Sequence, residues 1–208
     1  MSKLLPLFPL RMVVFPRTQL PLHIFEDRYK EMVGEAISSK SEFGIVLAKD
    51  EGIVSAGCTV VVEKVLTEYP DGRMDILTRG FRRFEIVQLN QDKLYLQGSV
   101  EFFDDDEPGP ASLELQQTAL RQYQGLVESG EMKGYSDPDL SDPQLSFQLA
   151  QAVQDTDFQA VLLRNRSEAD RLKQLSSFLN GYVLKLNQTT RMKHLAPLNG
   201  SGAKPAGL

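Results

Sequence analysis

Short apolar runs bounded by turn residues recur through most of the first hundred positions of the chain, and this pattern predicts β-strands. FGIVLA (43–48) is a compact apolar run rich in branched side chains. CTVVVEKVLTEY (58–69) and MDILTRG flank Pro70-Asp71-Gly72-Arg73, whose turn residues predict a hairpin. FRRFEIVQL and LYLQGSVEFF, separated by Asn90-Gln-Asp, predict a second hairpin. Strands with these lengths and spacings indicate a barrel or a sandwich.

One helix interrupts the strands of this half. Apolar residues recur at helical spacing after Asp27 and share one face: Tyr29, Met32, Val33, Ala36 and Ile37. Glu26 and Asp27 lie where this helix begins, and carboxylates there oppose the positive end of the helix dipole. Just before them, Leu22 and Ile24 alternate with His23, which predicts a strand with the histidine on the opposite face. PLHIFEDRYKEM therefore predicts a strand-to-helix junction.

The period becomes helical after DDDEPGP (104–110). Four consecutive acids and a Pro-Gly-Pro run favour neither strand nor helix, so we interpret this segment as a solvated linker. Beyond it, apolar spacing predicts a small helical bundle, with Asp142 and Pro143 at the start of its second helix. The predicted organisation is α+β: a strand-rich domain (1–103), the linker (104–110), a helical bundle (111–190) and a disordered tail (191–208).

The composition is typical of a globular protein, with 208 residues, 41% hydrophobic and 25% charged. The formal charge of -5 arises entirely within residues 1–110, and this acidity argues against a general nucleic-acid binder. Cys58 is the only cysteine, which excludes an internal disulfide and suits a reducing compartment. No apolar run approaches the roughly 20 residues that span a bilayer, and prolines break the amino-terminal one. We expect a cytoplasmic protein without a membrane partner.

His23-Ile-Phe-Glu26-Asp27 is the stretch most similar to a catalytic motif. It differs by one residue from the H-x-x-E-H arrangement of some zinc hydrolases, because Asp27 stands where a second histidine would bind the metal. We interpret the stretch as structural and expect no metal, no cofactor and no catalytic residue. A hydrolase that uses His23 and Glu26 remains the third and least favoured hypothesis.

Several blocks of the strand-rich half follow one another in the order and spacing of a known family: LPLFPLRMVVFPRTQLPLHIFEDRYKEMV, FGIVLA, AGCTVVVEKV, DGRMDILTRGFRRFEIV and LYLQGSV. Together they resemble the amino-terminal domain of the Lon proteases. The resemblance covers nearly all of residues 4–103, and SFQLAQ and RLKQLSSFL extend it into the helical half. It implies a PUA-like β-barrel with one inserted helix, followed by a small C-terminal helical bundle. Because no ATPase or serine–lysine protease sequence follows, the chain resembles free-standing Lon substrate-binding-domain proteins, and neither activity is expected.

In Lon this region helps to recognise protein substrates. The resemblance therefore implies a non-enzymatic module that binds proteins or unfolded polypeptide segments, as an adaptor or a quality-control factor. Two surfaces fit this function: an open edge strand near the proline-rich start, and an exposed apolar patch between barrel and bundle. The predicted polypeptide contacts are Pro16 and Arg17 in a loop, with Tyr69 and Met74 at a hairpin.

The alternative function is RNA binding, since PUA-like barrels elsewhere bind RNA. Arg79, Arg82 and Arg83 form a small basic cluster, but strand alternation places Arg83 on the face opposite to Arg82. This arrangement and the acidic strand half argue against a phosphate-binding stripe. The sequence specifies neither the bound client, nor a cooperating protease, nor the oligomeric state.

Overall fold

The computed structural model describes residues 4–128 and 137–195, with the side chains of the last helix described through Tyr182. Within these ranges the chain forms six strands and five helices. In chain order they are β1 (Leu5–Leu10), β2 (Gln19–Ile24), α1 (Asp27–Ser39), β3 (Phe43–Lys49), β4 (Gly52–Glu68), β5 (Met74–Asn90), β6 (Gln97–Phe103), α2 (Leu113–Glu128), α3 (Leu145–Ala150), α4 (Thr156–Arg164) and α5 (Glu168–Leu195). The fold is mixed α+β, as predicted.

The strands form one sheet in the order β2-β5-β4-β3-β1-β6. β1 and β3 pair in parallel, and the other pairs are antiparallel. β5 also pairs with β6, so successive pairings lead from β5 through β4, β3, β1 and β6 back to β5. The β4–β5 hairpin turns at Gly72, which has a φ of 79° that glycine adopts without strain. Both predicted hairpins are confirmed.

β5 is one strand of 17 residues where the sequence predicted two shorter segments. Its amino-terminal part pairs with β2, and its carboxy-terminal part pairs with β6. The change of partner occurs near Gly80, which donates to the Thr18 carbonyl (2.9 Å) and accepts from the Arg17 amide (2.8 Å). A Cβ at this position would collide with the carbonyl of Phe15. Glycine therefore lets the loop before β2 lie directly against β5.

The helix predicted in the strand half is confirmed as α1. The buried face of α1 is the predicted one and consists of Tyr29, Met32, Val33 and Ala36. Ile37 is partly buried and packs against the core. The preceding strand buries Ile24 and leaves His23 about half exposed, as alternation predicted. The junction between β2 and α1 therefore has the structure that its sequence indicated.

Apolar packing is continuous between the strand half and the helical half. One cluster of buried side chains extends from Phe8 in β1 to Leu175 in α5. Phe15, in the loop before β2, stacks on Phe147 of α3 with a ring-centroid distance of 5.2 Å. A smaller cluster lies apart from it: Leu5, Leu7, Val46 and Phe84. The two halves share a core, while the predicted domain boundaries stay predictions.

The helical half differs from the prediction in two places. α3 begins at Leu145, so the predicted cap Asp142 lies outside it. The Asp142 carboxylate accepts a hydrogen bond from the Gln144 backbone amide at 2.8 Å. It also accepts two from Arg17, at 2.7 and 3.0 Å, and thereby connects this half to the loop before β2. The predicted tail begins inside α5, which continues to Leu195, and residues 196–208 lie outside the described residues. None of the helices in the described ranges is long and apolar enough to span a bilayer.

Candidate functional site

The histidine motif of β2 forms part of a hydrogen-bonded surface cluster. His23 Nδ1 lies 2.6 Å from Asp75 Oδ1, and the Tyr69 hydroxyl donates to Asp75 Oδ2 at 2.7 Å. The hydrogen bond from His23, followed by the one from Tyr69, lowers the pKa of Asp75. Glu26 pairs with Arg28 rather than with the histidine. Among the described residues, no three His, Cys, Asp or Glu side chains are placed to share a metal ion.

The four predicted contact residues lie at two separate places. Arg17 precedes β2 and binds Asp142 of the helical half, and Pro16 beside it is half-buried. Tyr69 and Met74 lie at the other end of the β2–β5 pair, roughly 17 Å away along the strands. Tyr69 belongs to the histidine cluster, and Met74 packs against the core. The structure does not bring the four together, and their part in polypeptide binding stays a prediction.

A groove with a volume of about 540 Å³ lies on the strand half, between the start of β1, the α1–β3 loop and strands β4, β5 and β6. Its walls are mainly apolar: Leu4, Pro6, Val61, Phe81, Val100 and Phe102. Phe81 is 56% exposed and Phe102 is 43% exposed. Exposed aromatic rings beside a concave apolar surface are typical of binding sites rather than of ordinary protein surface.

A second hollow of about 410 Å³ continues this groove along the outer edge of β4. The two hollows share Lys40, Ser41 and Val61 in their walls. Ile37 of α1 and Val65 of β4 line the second hollow. The two hollows together are called the apolar groove below.

Arg82 is held in a fixed position on the wall of the apolar groove. Its guanidinium lies over the Phe102 ring, 3.7 Å from the centroid. Two of its nitrogens donate to the two carboxylate oxygens of Glu42. Such a two-point pair fixes the guanidinium plane. Because Arg82 and Glu42 neutralise each other, this pair makes the wall polar without adding net charge to it.

A buried ionic cluster joins the strand half, the linker and the helical half. Asp105 accepts one hydrogen bond from Arg83 and two from Arg171, each 2.6 Å long. Arg171 also donates to Glu168 at 2.7 Å, and Glu168 accepts a hydrogen bond from the Ser146 hydroxyl at 2.6 Å. The side chains of Arg83, Arg171 and Asp105 are 1%, 0% and 5% exposed. This cluster is a structural element, because every charge in it is matched inside the protein.

The prediction of a solvated acidic linker is wrong at Asp105. Two guanidiniums that are buried without an anion would be strongly destabilising, so the linker supplies a carboxylate to them. Burial alone raises the pKa of Asp105, but hydrogen bonds from Arg171 and Gln144 and the charges of both arginines lower it to about 2. For Glu168 burial prevails and raises the pKa, because this carboxylate pairs with one guanidinium only.

Sequence reasoning missed both the apolar groove and the ionic cluster. For the cluster, the sequence offered no local signal, because alternation placed Arg83 on the face opposite to Arg82 and Phe84, where an exposed arginine is ordinary. The burial of Arg83 follows from the packing of the helical half against that face. For the groove, no signal in the sequence separates Phe81 and Phe102 from the other apolar strand residues.

Known proteins supply an independent comparison. The family model described as the ATP-dependent protease La (LON) substrate-binding domain matches residues 4–181. The chain belongs to this family. The match covers all six strands and extends into α5, so the resemblance read from the sequence is confirmed.

The curated relatives of this Lon substrate-binding domain are much longer proteins. Lon protease from Parabacteroides distasonis is 31% identical over 121 residues, which are 54% of this chain and 15% of that protein. Lon protease from Lawsonia intracellularis is 28% identical over 128 residues, or 57% of this chain and 15% of that protein. The chain thus spans about 15% of the length of these relatives.

Solved structures of the Lon family share the fold. The crystal structure of a Lon N-terminal domain protein from Xanthomonas campestris superposes with a TM-score of 0.69 at 25% identity, covering 84% of this chain and 98% of that one. The N-terminal domain of a Mycobacterium avium complex Lon protease gives a TM-score of 0.61 at 18% identity, covering 86% and 98%. The second similarity concerns the fold alone.

Proposed function

We propose that this chain binds polypeptide segments through the apolar groove and performs no chemical step on them. The observation that carries the proposal is the exposure of Phe81 and Phe102 beside a mainly apolar concave surface, since contact with apolar side chains would remove both rings from water. Family membership supports it, because the matched family is that of a substrate-binding domain. In a cell, such a module would serve as an adaptor or a quality-control factor for protein clients.

Side-chain contacts are favoured over strand addition as the binding mode. β3 pairs with β4 only as far as Val60, so no described strand pairs with the outer edge of residues 61–68. The register between β4 and β5 shifts at Glu63 of β4 and again at Leu66 of β4. Bulges of this kind twist an edge and make it a poor template for another strand. β2 lies at the end of the sheet order but carries Pro21, which cannot donate a backbone hydrogen bond.

For the strand half we propose the PUA-like barrel that the family resemblance implies. The return of the strand pairings from β6 to β5 supports it. The packing around Phe84 supports it too, because a Cβ on Gly44 or Gly57 would overlap the Phe84 ring. Two glycines on neighbouring strands therefore leave room for one aromatic ring, as close packing inside a closed sheet requires.

RNA binding gains no support from the arginines of β5. Arg83 is enclosed in the buried ionic cluster, and Arg82 is paired with Glu42. Phosphate affinity depends on accessible cations, which these two arginines do not supply. The polypeptide hypothesis is therefore preferred.

The proposal is tested with the double variant Phe81→Ser/Phe102→Ser and a permanently unfolded probe, fluorescein-labelled α-lactalbumin that has been reduced and carboxymethylated. Fluorescence anisotropy measures the affinity. We expect at least a roughly tenfold loss, because aromatic side chains at the centre of an interface contribute about 2 kcal/mol or more. Circular dichroism and thermal unfolding show whether the variant keeps its fold.

Val161→Ser is the matched control, since Val161 is an exposed apolar residue of α4 outside the apolar groove. It should bind the probe like the wild type. Equal affinity of the double variant and the wild type would contradict the proposal, and so would equal losses in the double variant and the control.

A further inference from the structure

The cations of the apolar groove are not all balanced by the protein. Two of its carboxylates are already neutralised, because Glu42 pairs with Arg82 and Glu63 pairs with Arg79. Lys40 lines both hollows, and Lys64 lines the second; both are exposed. Neither lysine side chain has an ion-pair or hydrogen-bond partner among the described residues, so the groove has an excess of two unpaired cations.

This excess lies in the acidic half of the protein, where residues 1–110 carry the formal charge of -5. At the neighbouring surface Lys93 donates to both carboxylate oxygens of Glu35, at 2.6 and 2.9 Å, and therefore adds no free charge. Lys40 follows the carboxy-terminal end of α1, where the partial negative charge of the helix dipole offsets it in part. Lys64 has no such compensation.

We propose that the apolar groove selects polypeptide segments in which carboxylates lie close to apolar side chains. This inference rests on the proposed function and specifies its substrate class. The apolar side chains contact the groove walls around Val61 and Phe81, and the carboxylates pair with Lys40 and Lys64. The carboxylates are those of Asp or Glu side chains within the segment, because the groove presents two lysines and a segment has only one carboxyl terminus.

The test uses labelled peptides of about twelve residues with leucine at the same positions and two variable positions, filled with Glu, Gln or Lys. The Glu peptide is made with a free and with an amidated carboxyl terminus, and the two forms should bind equally, because the side-chain carboxylates carry the interaction. Affinities are measured by anisotropy at low and at high salt. Exposed lysine–carboxylate pairs contribute modestly, so we expect a roughly two- to fivefold loss for Lys40→Gln or for Lys64→Gln.

The expected order of affinity is Glu above Gln above Lys, with a difference that shrinks in high salt. Lys173→Gln is the matched control, because Lys173 is an exposed lysine on α5 that pairs with Asp170 far from the groove. Its affinity for all peptides should equal that of the wild type.

Equal affinity for the Glu and Gln peptides, with both lost in the Phe81→Ser/Phe102→Ser variant, would overturn this inference and leave the proposed function intact. Absence of binding of every peptide and of unfolded α-lactalbumin would overturn both. A labelled oligouridylate that binds in a manner dependent on Lys40 and Lys64, while the Glu peptide does not, would assign the lysines to nucleic acid and also overturn the inference.

Discussion

Replacing Asp105 by asparagine tests whether the buried ionic cluster holds the two halves together. The variant keeps the size of the side chain but removes the negative charge that Arg83 and Arg171 share. It also turns an NH2 group toward guanidiniums that are themselves only donors. Asp106→Asn is the matched control, since Asp106 is the next residue, is 70% exposed and pairs with Arg166 at 3.3 Å.

The expected loss is about 3 kcal/mol of the free energy of unfolding at pH 7. Breaking a buried ion pair by removing one partner costs roughly 3–5 kcal/mol. The lowered pKa of Asp105 gives a lower figure: a change from 3.8 to about 2 corresponds to about 2.5 kcal/mol. The loss should lie near the bottom of the first range, because Arg83 keeps its bonds to the Leu163 and Asn165 carbonyls and Arg171 keeps Glu168.

Urea unfolding followed by circular dichroism measures this difference, and thermal unfolding should show a decrease of very roughly 6–12 °C for a chain of this size. The Asp106 control should change the stability by less than about 1 kcal/mol, as exposed ion pairs do. If Asp105→Asn and Asp106→Asn lose the same small amount, the cluster does not stabilise the fold and the reasoning is refuted.

Three further results are expected. Because the folded-state pKa of Asp105 is lowered from 3.8, the Asp105 carboxylate stabilises the fold above about pH 4, and this stabilisation is lost as the pH falls toward 2. The difference in free energy of unfolding between the wild type and Asp105→Asn, measured by urea titration, should therefore disappear over this pH range. Cys58 is buried, and burial raises its pKa to about 12, so a thiol reagent should modify it only as fast as the chain unfolds; rapid labelling under native conditions would contradict this. Gly80→Ala should lower the free energy of unfolding by about 1–3 kcal/mol, because the new methyl group meets the Phe15 carbonyl. Gly34 lies in open space on α1, so Gly34→Ala should raise this free energy by up to about 1 kcal/mol. Equal effects of the two substitutions in urea unfolding would exclude the backbone contact at Gly80.

The strand half was readable from the sequence because its signals are local. The turn at Gly72 and the apolar face of α1 depend on residues close together in the chain, so pattern alone predicts them. The sequence did not predict that β5 continues through Gly80. That glycine appeared to end a strand, and its role depends on a loop more than sixty residues earlier in the chain.

The groove and the cluster could not be read from the sequence, because both arise from long-range neighbours. Asp105 stands in a run of four acids that looks solvated, and only its approach to Arg83 and Arg171 separates it from Asp106. Phe81 follows the buried Gly80 in β5, and Phe102 lies opposite Phe84 in β6; the exposure of both rings depends on how the strands assemble. Local periodicity contains no such information.

The shared core has a consequence for how the protein can be dissected. The exposed segment 107–110 is a natural site for limited proteolysis, and cleavage there should leave a nicked protein whose two fragments remain associated. A fragment ending at residue 110 would instead expose Phe15 and remove the Leu163 and Asn165 carbonyls that accept hydrogen bonds from Arg83. Loss of client binding in such a truncation would therefore report misfolding, and point substitutions are the sounder way to locate the binding surface.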